Sequence, residues 1–238
     1  MRPKIICHMV TSIDGKLHPS RFTEPAAGIT RAVLRGHYEA VTERFGAEGW
    51  IVGRVTMMEM AKGTARAFNT PKLDRTHHFA NRDGQNLAIA IDPSGRVHYG
   101  KDNVGGDHAV AVLGEQVSDA YLAELRNDGV SYVFAGPKGD DLPSAMAQIA
   151  DLFGVKTLLL EGGAATNGAF LKHGLIDEFS TLIYPAVDGV AGQSIVDYPA
   201  EKNERPGAGQ SLRLTSCETL EGGMVWLRYA VEKAPAES

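Results

Sequence analysis

The feature that most constrains the fold of this chain is a regular alternation of short apolar runs with longer amphipathic stretches. Runs at residues 5–10, 50–52, 87–91, 109–113, 132–135, 157–160 and 179–184 are rich in Val, Ile, Leu and aromatic side chains. They have the make-up of strands buried on both faces. Helical spacing fills several of the gaps. Leu142, Met146, Ile149 and Phe153 share one face, with Gly154 as a stop, and a shorter candidate over 120–126 ends near Gly129. Such alternation predicts an α/β fold whose parallel strands are joined by crossovers. The last quarter differs, because segments 211–220 and 224–231 flank Glu221-Gly222-Gly223, a tight hairpin signal. The expectation is a mixed, mostly parallel central sheet flanked by helices and finished by an antiparallel hairpin.

A chain of 238 residues, 43% hydrophobic and 22% charged, can bury a sizeable core without disulfides or metals. One domain over 1–238 is expected. Segment 62–84 carries little periodicity and reads as a long functional or mobile loop, and 234–238 reads as a frayed tail. The net charge is −5 with no basic block, which speaks against nucleic-acid or membrane partners. Cys7 and Cys217 both lie in apolar, strand-like runs and read as buried, reduced thiols. There is no Cys-x-x-Cys, and the adjacent His77 and His78 would diverge on a strand, so no metal site is expected. The apolar stretch after Met1-Arg2-Pro3-Lys4 is too short to span a bilayer and lacks a cleavage pattern. It reads as a first strand, and cytoplasm is the default location.

Three places carry chemistry. In Trp50-Ile51-Val52-Gly53-Arg54-Val55-Thr56 an apolar strand meets a glycine and a helix-compatible segment. That arrangement offers backbone amides and a positive dipole end to a phosphate, with Thr56 adding a hydroxyl and Arg54 a charge. A plain strand-to-helix turn is the alternative. In Leu160-Glu161-Gly162-Gly163-Ala164 a buried strand runs into a glycine pair and then a second helical segment. Two adjacent glycines favour close approach to a pyrophosphate, and Glu161 stands at the carboxyl end of its strand. Neither stretch is a Gly-x-Gly-x-x-Gly fingerprint. The third place, Thr11-Ser12-Ile13-Asp14-Gly15-Lys16, gathers hydroxyl, carboxylate and amine where the first strand ends, or else is an Asp-Gly turn with solvated neighbours.

Together, Ser-x-Asp-Gly-Lys after strand one, Val-Gly-x-x-Thr and Leu-x-Glu-Gly-Gly resemble the reductase domain of bacterial bifunctional riboflavin deaminase-reductases and the similar stand-alone archaeal and fungal reductases. Gly174-Leu175-Ile176-Asp177-Glu178 and Tyr184-Pro185-Ala186-Val187-Asp188-Gly189 continue the resemblance in order, over roughly residues 4–190. It implies a dihydrofolate-reductase-like fold, NADPH as cofactor, a small-molecule substrate and a homodimer. The reaction implied is reduction of the ribose of a phosphoribosylaminopyrimidine to ribitol, as in a 5-amino-6-(5-phosphoribosylamino)uracil reductase. It places Gly53, Thr56, Glu161, Gly162, Gly163 and Ala164 along NADPH in a crevice at the carboxyl ends of the strands, with Asp92 and Ser94 near the adenosine. Ser12, Asp14 and Lys16 would face the substrate, and Arg44 its phosphate. Placing Arg54 beside the 2′-phosphate is a physical expectation rather than part of the resemblance. Asp14 is the candidate for substrate orientation or proton relay, and Glu161 for catalysis or for ordering the glycine turn.

The chain departs from the family after Thr56. Met57-Met58-Glu59-Met60-Ala61 stands where an Asp-Asp/Asn-Pro-x-Leu stretch is usual. No His-x-Glu with Pro-Cys-x-x-Cys occurs, so the deaminase half is missing. A dihydrofolate or pterin reductase, an NADPH reductase of another carbonyl or imine, and a non-catalytic nucleotide-binding protein remain as alternatives.

Overall fold

All seven apolar runs form strands in the computed structural model, which describes residues 1–192 and 194–234. The chain folds as two compact units, Met1–Pro3 with Glu48–Leu158, and Lys4–Ala47 with the residues from Leu159 on.

The first unit holds β2 (Gly49–Gly53), β3 (Leu87–Ile91), β4 (Asn103–Val104), β5 (Asp107–Leu113) and β6 (Ser131–Phe134). Its helices are α2 (Arg54–Met60), α3 (Asp119–Asp128) and α4 (Leu142–Phe153). Strands β2, β3, β5 and β6 pair in parallel, as continuous apolar runs predict, and β4 adds a short antiparallel pairing to β5. Residues 87–90 and 109–113 are fully buried. The glycine stops of α3 and α4 act as expected, and each helix also has a side-chain cap at its start. Ser118 and Asp141 accept amide protons of Tyr121 and Ser144, and Gly129 and Gly154 close α3 and α4 in the left-handed region.

The second unit holds β1 (Lys4–Ser12), β8 (Glu178–Tyr184), β9 (Gln210–Thr219) and β10 (Val225–Lys233), with α1 (Arg31–Glu43) and α5 (Ala164–Lys172). Strand β7 (Thr157–Leu160) is where the chain passes from one unit to the other. β1 and β8 are parallel, and β8, β10 and β9 follow in antiparallel order, so the predicted terminal hairpin is present. Its core gathers Phe22, Leu34, Val41, Leu182, Met224 and Trp226. Helix α1 is not legible in the sequence; Thr30 caps it by accepting the Val33 amide at 3.3 Å.

Two expectations need correction. Cys7 is buried, but Cys217 is exposed, because β9 is an edge strand with most of its residues open to solvent. Segment 62–84 is a loop, yet it is strapped down rather than loose. Arg66 pairs with Asp128 and Glu124, Arg75 with Asp119, and His78 forms an isolated bridge to Tyr132. The Ala80 amide donates to Ser131 Oγ at 2.9 Å. Beyond Ala234 the expected frayed tail lies outside the described residues.

Candidate active site

Where β1 ends, the Ser12 hydroxyl donates to Asp14 Oδ1 at 2.6 Å and accepts the Lys16 amide at 3.0 Å. The Asp188 and Gly189 amides donate to the two Asp14 oxygens at 3.1 and 2.9 Å, and Lys16 Nζ donates to the Gly192 carbonyl at 3.2 Å. The Ser12 bond first, and then the two amides, hold the Asp14 carboxyl far below the ordinary carboxylate range. Bonding of this kind favours the charged form of Asp14 and suits it to orienting its neighbours. Asp14 ties the turn after β1 to the turn at 188–189. Ser12 is buried, so its hydroxyl is spent on that tie rather than presented outward.

At the end of β7 the chain turns through Glu161, Gly162 and Gly163 into α5, with the Gly162–Gly163 peptide cis. Gly162 has φ +100, a conformation few side chains tolerate, and a Cβ there would lie 3.2 Å from the Met9 methyl. A Cβ on Gly163 would meet no atom within 4 Å. Gly163 is also the N-cap of α5 without a side-chain bond, leaving the start of the helix uncovered by side chains of its own cap.

Tyr38 on α1 donates its hydroxyl to the His8 carbonyl at 3.5 Å, and burial first, then the neighbouring Glu161, push its ionisation well up. The Tyr38 ring stacks on His8 of β1, with centroids 4.5 Å apart and planes at 19°. His8 Nδ1 lies 2.9 Å from Ser180 Oγ, and Ser180 Oγ accepts from Trp226 Nε1 at 2.8 Å. Burial brings the His8 ring down to about 4, so it is neutral across the physiological range. Sequence reasoning missed Tyr38 altogether. His8 carried a signal, a lone polar side chain inside an apolar strand run.

In the first unit, Gly53 is buried and extended, and Arg54 opens α2 with its Nη1 donating to Ser94 Oγ at 3.2 Å. Ser94 lines a cleft of about 350 Å³ with Pro93, Gln116, Val117, Pro137 and Lys138. The chain is tightly packed behind Pro93, where a Cβ on Gly139 would lie 2.7 Å from Pro93 Cβ and 2.8 Å from the Gly114 amide. Asp92 is fully buried, and its Oδ2 accepts the Arg96 and Val97 amides at 2.6 and 2.8 Å. It shapes the turn that exposes Ser94 and has no surface to offer a ligand. Thr56 sits half-buried in the first turn of α2. The departure after it is explained by the helix, since Met57 is buried in the core while Met58 and Met60 are exposed. Lys138 was missed; its signal was the Gly-Pro-Lys-Gly turn after the sixth strand.

Arg44 has another occupation than the expected one. Both terminal guanidinium nitrogens bind Glu218 of β9 at 3.1 Å, and the group lies 4.4 Å from the Trp226 ring centre. A phosphate would have to displace a bidentate carboxylate to reach it. Among the described residues no His, Cys, Asp and Glu group of three or more is placed to hold a metal, and no helix is long and apolar enough to cross a membrane.

A family model described as the RibD C-terminal domain matches residues 3–226. The 2,5-diamino-6-ribosylamino-4(3H)-pyrimidinone 5′-phosphate reductase of Methanothermobacter thermautotrophicus is 27% identical over 194 residues, 79% of this chain and 81% of that protein. Among solved structures, a pyrimidine reductase-like protein from Corynebacterium diphtheriae matches with a TM-score of 0.68 at 16% identity, over 97% of this chain and 92% of that one. The riboflavin biosynthesis reductase of Saccharomyces cerevisiae matches with a TM-score of 0.58 at 14% identity, over 97% and 90% of the two chains. The dihydrofolate-reductase-like α/β fold expected from the sequence is the fold these structures share with this one. Matched over nearly its whole length, the chain belongs to the RibD C-terminal domain family.

Proposed function

We propose that this protein is an NADPH-dependent reductase that converts the ribose of a phosphoribosylaminopyrimidine to ribitol in riboflavin synthesis. The named relatives are reductases, and a reductase of this family uses a nicotinamide cofactor. The observation that carries the reading is the Glu161-Gly162-Gly163 turn. It leads directly into α5, and the space beside Gly163 is left open by the packing of the chain. A pyrophosphate fits such a cradle of backbone amides at a helix start. The residues therefore suit a dinucleotide.

When bound, the nicotinamide supplies the hydride. The chain's part is to hold and orient. In this reading Gly162, Gly163 and Ala164 take the pyrophosphate, while Gly53 and Thr56 line the dinucleotide. Arg54 and Ser94 hold the phosphorylated adenosine ribose. Lys16 is the anion partner for the substrate phosphate, and Asp14 fixes the turn that carries it. Opening the ribose ring breaks the bond between the anomeric carbon and the ring oxygen. That oxygen must gain a proton, and Glu161 is the carboxyl assigned to hand it over, acting in its protonated form. The reading also includes a single reductase domain, since one family model runs through both units, and a cytoplasmic homodimer.

NADPH oxidation should be followed with the diaminopyrimidinone phosphate named for the archaeal relative, with the corresponding aminouracil, and with dihydrofolate. Turnover of either ribosylated pyrimidine supports the reading and shows whether reduction acts on the amino or the oxo form of the ring. Turnover of dihydrofolate alone replaces it with a pterin reductase, and NADPH binding with no turnover leaves a nucleotide-binding protein. Calorimetry showing no NADPH binding removes it.

A further inference from the structure

We propose that Tyr121 is a positioning residue for Ser94. It holds the turn after β3 in the shape that presents the Ser94 hydroxyl to the cleft, and so sets the preference for a ribose carrying a 2′-phosphate. The part played by Ser94 rests on the reading of this cleft as the adenosine end of the cofactor site. The tie to Tyr121 is a matter of geometry within the first unit.

The turn runs from Asp92 to Val97, with both ends buried and Ser94 exposed between them. Three amides close it from inside. Gly95 donates to the Asp92 carbonyl at 3.0 Å, and Arg96 and Val97 donate to Asp92 Oδ2 at 2.6 and 2.8 Å. Those bonds fix the curl of the turn but not its place against α3. Tyr121, in the first turn of α3, supplies that: its hydroxyl donates to the Val97 carbonyl at 2.8 Å, so both backbone groups of Val97 are engaged. The ring lies against Gly95, where a Cβ would come within 2.7 Å of two ring carbons and 2.9 Å of Val117 Cγ1. Val117 lines the cleft beside Ser94. The Tyr121 ring is itself buried, and the His98 imidazole meets it edge-on at 5.9 Å and 82°.

A serine side chain is short, so its oxygen goes where the backbone puts it. Ser94 Oγ accepts from Arg54, and that bond leaves the serine's own proton for an acceptor in the cleft. Guanidinium and hydroxyl can then meet one phosphate together, provided the turn stays within about half an ångström of its place.

Tyr121→Phe keeps the ring and removes the hydroxyl, whereas Gly95→Ala keeps the hydroxyl and wedges a methyl between turn and ring. Adenosine 2′,5′-bisphosphate and adenosine 5′-monophosphate differ only in the 2′-phosphate, and both are titrated into the natural protein and each variant by NMR. The preference for the bisphosphate should shrink about fivefold in each variant, short of the loss of a whole hydrogen bond to a charged group, with the monophosphate held within about twofold. A merely structural role would lower the melting temperature and weaken both nucleotides alike. That outcome, or an unchanged preference, overturns the proposal.

A second measurement needs no ligand. The Arg96 and Val97 amides should exchange with solvent about fivefold faster in Tyr121→Phe, while the amides of α4 keep their rates. If they do not, Tyr121 does not hold the turn and the proposal fails, whatever the cleft binds. If they do, yet the natural protein binds both nucleotides equally, the claim on specificity falls with the cofactor reading of the cleft and not with the tie.

Discussion

Arg54 at the start of α2 donates to the Ser94 hydroxyl in the turn after β3, 40 residues away, at 3.2 Å. The pairing brings a cation to the mouth of a cleft also lined by Lys138. A phosphate on the adenosine ribose would meet guanidinium and hydroxyl together, and a bare ribose would gain little from the charge. Arg54→Ala should therefore raise the NADPH dissociation constant about tenfold and leave that for NADH within about twofold, in line with the loss of a charge-assisted bond. Titration of both cofactors on both proteins checks this. Equal losses for the two would remove the role of Arg54.

The two glycines of the turn should respond differently to valine. Gly163→Val adds a side chain into open space, so the melting temperature should hold while NADPH binding weakens by at least about tenfold. Gly162→Val places a β-branched residue at φ +100 and against Met9, which should cost on the order of 1–3 kcal/mol of stability. Thermal melts with parallel NADPH titrations separate the effects. A Gly163→Val protein that binds NADPH normally would leave the pyrophosphate cradle without support.

Asp14 offers a pH test. Its folded carboxyl is depressed by the Ser12 hydroxyl and the Asp188 and Gly189 amides. A depressed carboxyl adds stability that is fully present above its unfolded value, near 3.8, and is lost as pH falls through the lower folded one. The difference in melting temperature between the natural protein and Asp14→Asn should thus be flat from pH 5 to 8 and shrink below about pH 4. Turnover of Asp14→Asn should fall with NADPH affinity nearly intact, since the tie it breaks orients Lys16. A stability difference that varies between pH 5 and 8 would contradict the bonding described.

His8 acts in a different window and with the opposite charge. Its native ring stays neutral down to about 4, while the unfolded ring gains a proton near 6.5. Stability should therefore decline as pH drops from about 6.5 toward 4, by up to about 3 kcal/mol for a shift of this size. His8→Phe should flatten that slope. Denaturant melts at pH 7, 6, 5 and 4 on both proteins give the comparison, and equal slopes would show that His8 is not the group responsible.

The strands were readable because their apolar runs are local facts, and α4 because its four core residues and its glycine lie within one short segment. Helix α1 was not, since it buries only Leu34 and Val41 and carries Gly36 in its interior. The glycine turns were legible as turns. What the charged residues do was not, because their partners are distant in sequence. Arg44 finds Glu218 174 positions away, and Asp14 finds Gly189 at a separation of 175. Asp92 looked like a ligand contact because, with Ser94, it stands in the stretch that resembles the family's adenosine end. Only the path of the following turn, which folds its amides back onto that carboxylate, shows it to be internal.

The strap over 62–84 bears on how this protein is cut. A segment with so little regular structure is ordinarily where a protease first enters a native domain. Two of the five basic residues that trypsin would seek here, Arg66 and Arg75, are clamps, one on Asp128 and the other on Asp119 and the Glu115 and Val117 carbonyls. Each anchoring side chain must leave α3 or its approach before the backbone beside it can enter a cleft. Tryptic cleavage after Arg66 and Arg75 is thereby tied to local opening around α3, and its rate, measured apart from cleavage after Lys72, reads out how firmly this part of the first unit is closed.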